Sequence, residues 1–237
     1  MNLTEKLGGA LKDFFARHGI ILANYSLSDR PSRLGDVVRL KSQGLLQNPA
    51  EACQLISALR ATSRVEGDIA EVGTASGGSA RLIGEYSSGK TIHVFDTFEG
   101  LPDPDARDEG FIKGAYKCSF EKVQHYLQGL PVEFHKGLFP GSAALLQNHQ
   151  FSFVHLDVDL YQSTLDCLKF FYPRLNPGGI IISHDYVISP GVNQAFAEFF
   201  ADTPETPIEL IGYQVMVVKF SQALARAAAA EREQANA

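Results

Sequence analysis

The chain has 237 residues, 45% hydrophobic and 20% charged, a composition that fits a globular protein and excludes a disordered or fibrous one. Its length suits one large domain or two small ones and can bury one sizeable core. Lys and Arg total 21 against 27 Asp and Glu, a formal charge of −6 with no basic block. That balance argues against duplex nucleic acid as the main partner, since such binding draws on phosphate neutralisation; a small nucleotide-like ligand stays allowed.

Cys53, Cys118 and Cys167 are widely spaced and odd in number, with no CxxC or HExxH. This pattern speaks against a disulfide framework or a structural zinc site and for a reducing compartment. The start, MNLTEKLGGALKDFF, lacks the signal-peptide pattern, and no apolar run approaches the ~20 residues of a membrane helix. A cytoplasmic protein without a membrane partner is expected.

Residues 1–65 read as a helical extension. Apolar positions at helical spacing predict helices over Leu3–His18 and Pro49–Ala61, the second with Asn48 as cap and Pro49 at its first position. Ser28 to Ser32 reads as a turn or loop. From about residue 66 to 220, short apolar strands alternate with helices. Strands are predicted at Ile69–Val72, Thr91–Phe95, Val132–His135, Phe151–Leu156, Ile180–Ser183, Ile208–Ile211 and Gln214–Lys219. Helices are predicted at Gly78–Tyr86, Cys118–Gln128, Ser142–Gln147, Ser163–Tyr172 and Val192–Phe200. The alternation predicts an α/β fold, a doubly wound and mostly parallel sheet covered on both faces. Only Gly212-Tyr213 joins the final two strands, too short for a parallel crossover, so the last strand should be antiparallel. Gly100–Gly114 is a long polar segment without periodicity and reads as a lid. Residues 221–237 form an Ala-rich tail that reads as frayed or disordered.

Chemistry gathers at the predicted strand ends. Glu71-Val-Gly73-Thr74-Ala-Ser-Gly77-Gly78 follows a strand and opens a helix, where glycines admit a ligand to the backbone and the helix N-terminus offers free N–H groups. The same residues stand one substitution from the dinucleotide fingerprint, so a nicotinamide or flavin remains possible; a plain strand–helix turn is the alternative. Asp96 ends the next strand about 20 residues on, placed for the ribose hydroxyls of an adenosine or, alternatively, for a cap. His135-Lys-Gly137 ends the third, where the loop can flank an adenine. Asp157 and Asp159 close one strand and His184-Asp185 the next. Adjacent parallel strands bring Asp157 and Asp185 within reach of one oxygen-loving cation, the alternative being helix caps or ion pairs. The histidines His18, His125 and His149 read as surface residues, and His93 and His155 as satisfied strand residues.

Together the Glu-Val-Gly opening, FDTFEGLP, LDVDLYQSTLDCLKFFYPRLNPGGIII, and HDY followed by PGVNQAFAEFF resemble the macrocin (TylF-type) O-methyltransferase family, over about residues 66–219. The resemblance implies a class I, Rossmann-like S-adenosylmethionine-dependent fold with an antiparallel last strand. It also implies methylation of a hydroxyl on a small molecule, a natural-product sugar, with Mg²⁺ in the site. By position, Glu71 and Gly73 would border the methionine part of the cofactor and Asp96 its ribose, with Thr74, Gly77, Gly78, Gly137 and Asp157 completing that set. Asp157 and Asp185 align with metal ligands and Asp159 with the general base. Where such enzymes carry two consecutive Asp residues, this chain has His184-Asp185, and imidazole suits Mg²⁺ less well than softer transition metals. His184 is then a third ligand or, without metal, the base. Thr74-Ala75-Ser76 also replaces bulkier residues. The N-terminal helices suggest a homo-oligomer interface by the same resemblance. A metal-independent methyltransferase, a dehydrogenase and a non-catalytic cofactor-binding or interaction protein are the competing readings; the dehydrogenase leaves Asp157, Asp159, His184 and Asp185 without a role.

Overall fold

The alternating pattern folds as one sheet of seven strands, β1 (Asp68–Val72), β2 (Ile92–Asp96), β3 (Val132–Lys136), β4 (Phe151–Leu156), β5 (Leu175–Ser183), β6 (Ile208–Glu209) and β7 (Val215–Val218). Their order is β3-β2-β1-β4-β5-β7-β6. β1 to β5 pair in parallel, and β7 runs antiparallel to both β5 and β6. This computed structural model describes residues 30–221 and residue 224. The chain divides into two units, Met1–Asp36 and Val37–Ala237; of the first, residues 30–36 are described, the opening of helix α1 (Arg30–Lys41). The predicted helix Leu3–His18 and, apart from Ser221 and Leu224, the tail lie outside the described residues.

α2 (Pro49–Ala61) matches its predicted bounds because its start is fixed locally. Asn48 Oδ1 accepts from the backbone N–H groups of Ala50 and Glu51, and the Glu51 carboxylate accepts from that of Asn48 at 2.8 Å, a capping box behind Pro49. α2 packs on α3 (Gly78–Tyr86), which follows β1. α4 (Phe120–Tyr126) and α6 (Pro190–Phe200) start at the caps Ser119 and Ser189. α5 (Tyr161–Phe171) begins after Leu160, which has no capping side chain. β4 is buried at all six positions, as a central parallel strand requires. Phe95, Phe151, Phe171 and Phe196 anchor the core between the sheet and α5 and α6.

Beyond shifts of element ends, such as β5 starting at Leu175 rather than Ile180, three expectations change. Arg30 to Ser32, read as loop, starts α1; Pro31 in the first turn needs no intrahelical N–H partner. Ser142–Gln147 forms a 3₁₀ helix over Gly141–Leu146 rather than an α-helix, a common outcome for so short a connector. The Ile208–Ile211 strand stops at Glu209 because Gln54 captures Ile211, accepting from its N–H and donating to its carbonyl.

No helix among the described residues is long and apolar enough to cross a membrane, and Cys53, Cys118 and Cys167 are all free thiols.

Asn48→Ala should lower stability by about 1 kcal/mol. Thermal unfolding would record this as a fall of about 2–4 °C.

Candidate active site

A cavity of about 310 Å³ opens at the C-terminal edge of β1, β2, β4 and β5, the place where open α/β sheets take ligands. Gly73, Thr74, Gly78, Asp96, Gly137, Asp157, Asp159, His184 and Asp185 all line it. Two predicted residues do not. Gly77 lies behind it as the left-handed cap of α3, and Glu71 is fully buried inside β1.

The cofactor-side wall is the β1–α3 turn. Gly73 has φ +83°, and a Cβ there would collide with the Asp157 carbonyl oxygen. A Cβ on Gly78 would stand 2.6 Å from Leu45 Cα. Only glycine lets the turn pack this closely. α3 has no side-chain cap, so its first N–H groups remain available to a ligand. Asp96 is already engaged: Oδ2 accepts from the N–H groups of Thr74 and Ala75, both at 2.9 Å, and Oδ1 from that of Phe98 at 2.7 Å. A carboxylate has about four acceptor positions, so Asp96 keeps room for one more hydrogen bond. Burial raises its pKa, with these three donors opposing.

Beneath this wall Glu71 Oε1 meets His155 Nδ1 at 2.9 Å, both side chains fully buried. The β1–β4 register sets them opposite each other. Both outer atoms, Glu71 Oε2 and His155 Nε2, are buried without a hydrogen-bond partner. Glu71 thus reaches the cavity only through the backbone that it supports.

The opposite end holds the ionisable cluster. His184 Nδ1 stands 2.9 Å from Asp185 Oδ1 and 3.6 Å from Asp157 Oδ1. His184 Nε2 faces Glu51 Oε2 at 3.4 Å without an aligned hydrogen bond. Burial disfavours the imidazolium, but Asp185, Glu51 and the charge of Asp157 reverse that and lift His184 to about 11. Burial likewise opposes the Asp185 carboxylate, yet His184 holds it below the usual range. Burial, the Asp157 charge and a hydrogen bond with Asp185 push Asp159 up to about 9, while burial takes Asp157 to about 6. Asp159 and Asp185 both carry positive φ, as do Ala75 and Tyr116 on the cavity wall; Asp tolerates this region better than Ala or Tyr, and such strain collects at functional sites.

Asp157, His184 and Asp185 each offer one donor atom, all within 4.8 Å of one another. Two carboxylates and an imidazole suit a divalent transition ion better than Mg²⁺. Glu51 behind the other ring nitrogen is the outer carboxylate that metal-binding histidines ordinarily have.

Gln47 and Glu51 are contributors that the sequence reading missed. Gln47 Nε2 donates to Asp157 Oδ2 at 3.0 Å. Glu51 Oε1 accepts from the Tyr213 N–H at 3.0 Å, fastening the β6–β7 turn to the cluster. A Glu three residues after Asn48 was the available signal for Glu51; Gln47 had none. The segment read as a lid supplies Leu101 and Pro102 to the wall. It is tied down by Asp108, which accepts from the Tyr161 N–H at 2.7 Å and so caps α5.

Gly73→Ala should cost about 3 kcal/mol, from strain at positive φ and the backbone clash. Urea unfolding of the two proteins would measure it.

Residues 50–219 match the model of the family described as Macrocin-O-methyltransferase (TylF). A tetracenomycin-C 4'-O-methyltransferase of Streptomyces olivaceus, acting on the 8-demethyl-8-(2,3-dimethoxy-alpha-L-rhamnosyl) compound by its name, is 32% identical over 142 residues, 52% of this chain and 54% of that one. The mycinamicin III 3''-O-methyltransferase of Micromonospora griseorubida is 30% identical over 197 residues, 75% of this chain and 74% of that one. The chain therefore spans between about half and three quarters of these relatives' lengths. Among solved structures, the O-methyltransferase NovP superposes with a TM-score of 0.62 at 24% identity, over 73% of this chain and 81% of that one. An O-methyltransferase from Bacillus cereus in complex with SAH gives 0.54 at 19%, over 89% and 97%. The sheet order and its antiparallel end are those of a class I, Rossmann-like methyltransferase fold. The chain belongs to the macrocin O-methyltransferase (TylF) family.

Proposed function

We propose that this chain transfers the methyl group of S-adenosylmethionine to a hydroxyl of a small molecule, a sugar carried by a natural product. The observation that carries the reading is one cavity with two chemically distinct ends. The glycine turn, the open N-terminus of α3 and Asp96 stand at one end, and Asp157, Asp159, His184 and Asp185 at the other. The first end suits an adenosine-bearing ligand, and the second suits removal of a proton from an alcohol. One relative is named for a rhamnosyl-bearing tetracenomycin and another for mycinamicin III, which supports the acceptor class.

Transfer is an in-line displacement: a C–O bond forms as the C–S bond breaks, and the sulfonium becomes a neutral thioether. The chain's task is to align acceptor oxygen, methyl carbon and sulfur, and alignment contributes up to about 7–11 kcal/mol. Asp159 takes the hydroxyl proton. Its burial beside Asp157 and Asp185 raises its pKa to about 9, so it acts as base from its ionised minority form, a stronger acceptor than an exposed carboxylate, and turnover should rise toward alkaline pH. Glu71, by bracing β1 through His155, keeps the glycine turn in place. A divalent cation held by Asp157, Asp185 and His184 Nδ1 supplies Lewis-acid activation of the hydroxyl when bound; the donor set favours Mn²⁺ over Mg²⁺. A metal-independent reading rests on the ion pair between His184 and Asp185, with the imidazolium itself as the fixed cation.

S-adenosylmethionine or S-adenosylhomocysteine at a hundred times its Kd should stabilise the protein by about 2.7 kcal/mol, roughly 5–10 °C in thermal unfolding, and NAD should give no shift. Absence of any sulfonium or thioether shift would sink the reading. Asp159→Asn should cut transfer to a sugar glycoside by about 10²–10⁴-fold while the S-adenosylhomocysteine shift persists. Treatment with EDTA should remove turnover and Mn²⁺ should restore it better than Mg²⁺; unchanged turnover after EDTA selects the metal-independent form.

A further inference from the structure

A second group of metal-ligating side chains shares no residue with the cavity. In the β2–β3 register His93 lies opposite Glu133, and Phe95 opposite His135. Side chains alternate along strands, so His93, Glu133 and His135 project from one face. His93 Nδ1 and His135 Nε2 are 3.0 Å apart, and Glu133 Oε2 is 3.6 Å from the same His93 nitrogen. Around an ion with ligands at about 2.0–2.1 Å, neighbouring ligand atoms lie about 3.0–3.4 Å apart. The His93–His135 separation meets that spacing, the His93–Glu133 separation is slightly longer, and all three donor atoms lie within 4.8 Å of one another.

The other nitrogen of His93 explains the orientation. Nε2 faces Asp68 Oδ2 at 3.3 Å, and His93 itself is buried. With Nε2–H donated to Asp68, His93 Nδ1 is the acceptor of the 3.0 Å hydrogen bond with His135 Nε2 and lies 3.6 Å from the Glu133 carboxylate. A proton on His135 Nε2 satisfies that contact, and a cation taking its place would in addition neutralise the neighbouring Glu133 carboxylate. Two imidazoles and a carboxylate, with an outer carboxylate on one ring, form a donor set of transition-metal type. β3 is an edge strand and Glu133 is 61% exposed, so an ion can enter from solvent.

We propose that His93 Nδ1, His135 Nε2 and Glu133 form a divalent transition-metal site of the Zn²⁺ class, with Asp68 holding His93 from behind. The site joins β1, β2 and β3 and is separate from the cluster around His184. His149 meets the His93 ring edge-on at 5.4 Å, and Asp68, His93 and His149 form an overlapping donor group that the titrations below separate from this one.

Calorimetric titration of the full chain with Zn²⁺, and Co²⁺ titration followed by visible absorption, test this. Glu133→Gln and His135→Gln should each weaken one class of Zn²⁺ binding at least tenfold and abolish its Co²⁺ band. Asp68→Asn should weaken it about 10–100-fold, and Asp185→Asn should leave that class intact. The exposed Glu133 makes its variant a sound test even if changes at His135 disturb folding. Zn²⁺ binding unchanged in Glu133→Gln overturns the proposal. Loss in His149→Ala with retention in Glu133→Gln overturns this ligand set.

Discussion

Burying Glu51, Asp157, Asp159 and Asp185 side by side would cost several kcal/mol per ion without compensation. The acids come from three stretches of chain, α2 and the ends of β4 and β5, and Glu51, Asp157 and Asp185 share the His184 ring. Its two nitrogens face carboxylates on both sides, between 2.9 and 3.6 Å away. Around that ring the fold closes: Gln47 reaches Asp157, and Glu51 holds both the start of α2 and the β6–β7 turn. The antiparallel end of the sheet thus serves the same centre as the helix that precedes the sheet.

The same economy of charge appears at the other end of the cavity. Asp96 spends three of its acceptor positions on backbone N–H groups, and Glu71 is matched to His155 within the sheet. These acids shape the glycine turn from below and from the side. Removing either partner of the Glu71–His155 pair leaves an uncompensated group in the centre of the core, where such losses are largest.

Local signals carried most of the fold. Pro49–Ala61 and Gly78–Tyr86 were legible to the residue because a capping box and a glycine turn mark their starts, and Phe151–Leu156 because four of its six residues are apolar. α1 was not, since its sequence RPSRLGDVVRLK offers only a thin apolar stripe. Asp157, Asp159, His184 and Asp185 could be placed together because parallel topology puts strand ends on one edge. Gln47 and Glu51 could not, as their partners Asp157 and Tyr213 lie 110 and 162 positions away. His93 and His135 read as unrelated for the same reason: only strand register makes them neighbours.

Gly73 and Asp157 touch through backbone alone. Gly73 N–H donates to the Phe95 carbonyl and Asp157 N–H to the Val72 carbonyl, both at 2.9 Å, and no side chain intervenes between the glycine and the Asp157 carbonyl. The span from one end of the cavity to the other is therefore a property of the sheet ladder, fixed before any side chain is chosen. Substitution along the walls at Leu101, Pro102, Tyr116 or Leu138 can remodel the volume offered to an acceptor without lengthening that span. Selection on such a scaffold can diversify what is recognised while the distance over which a group must travel is inherited unchanged.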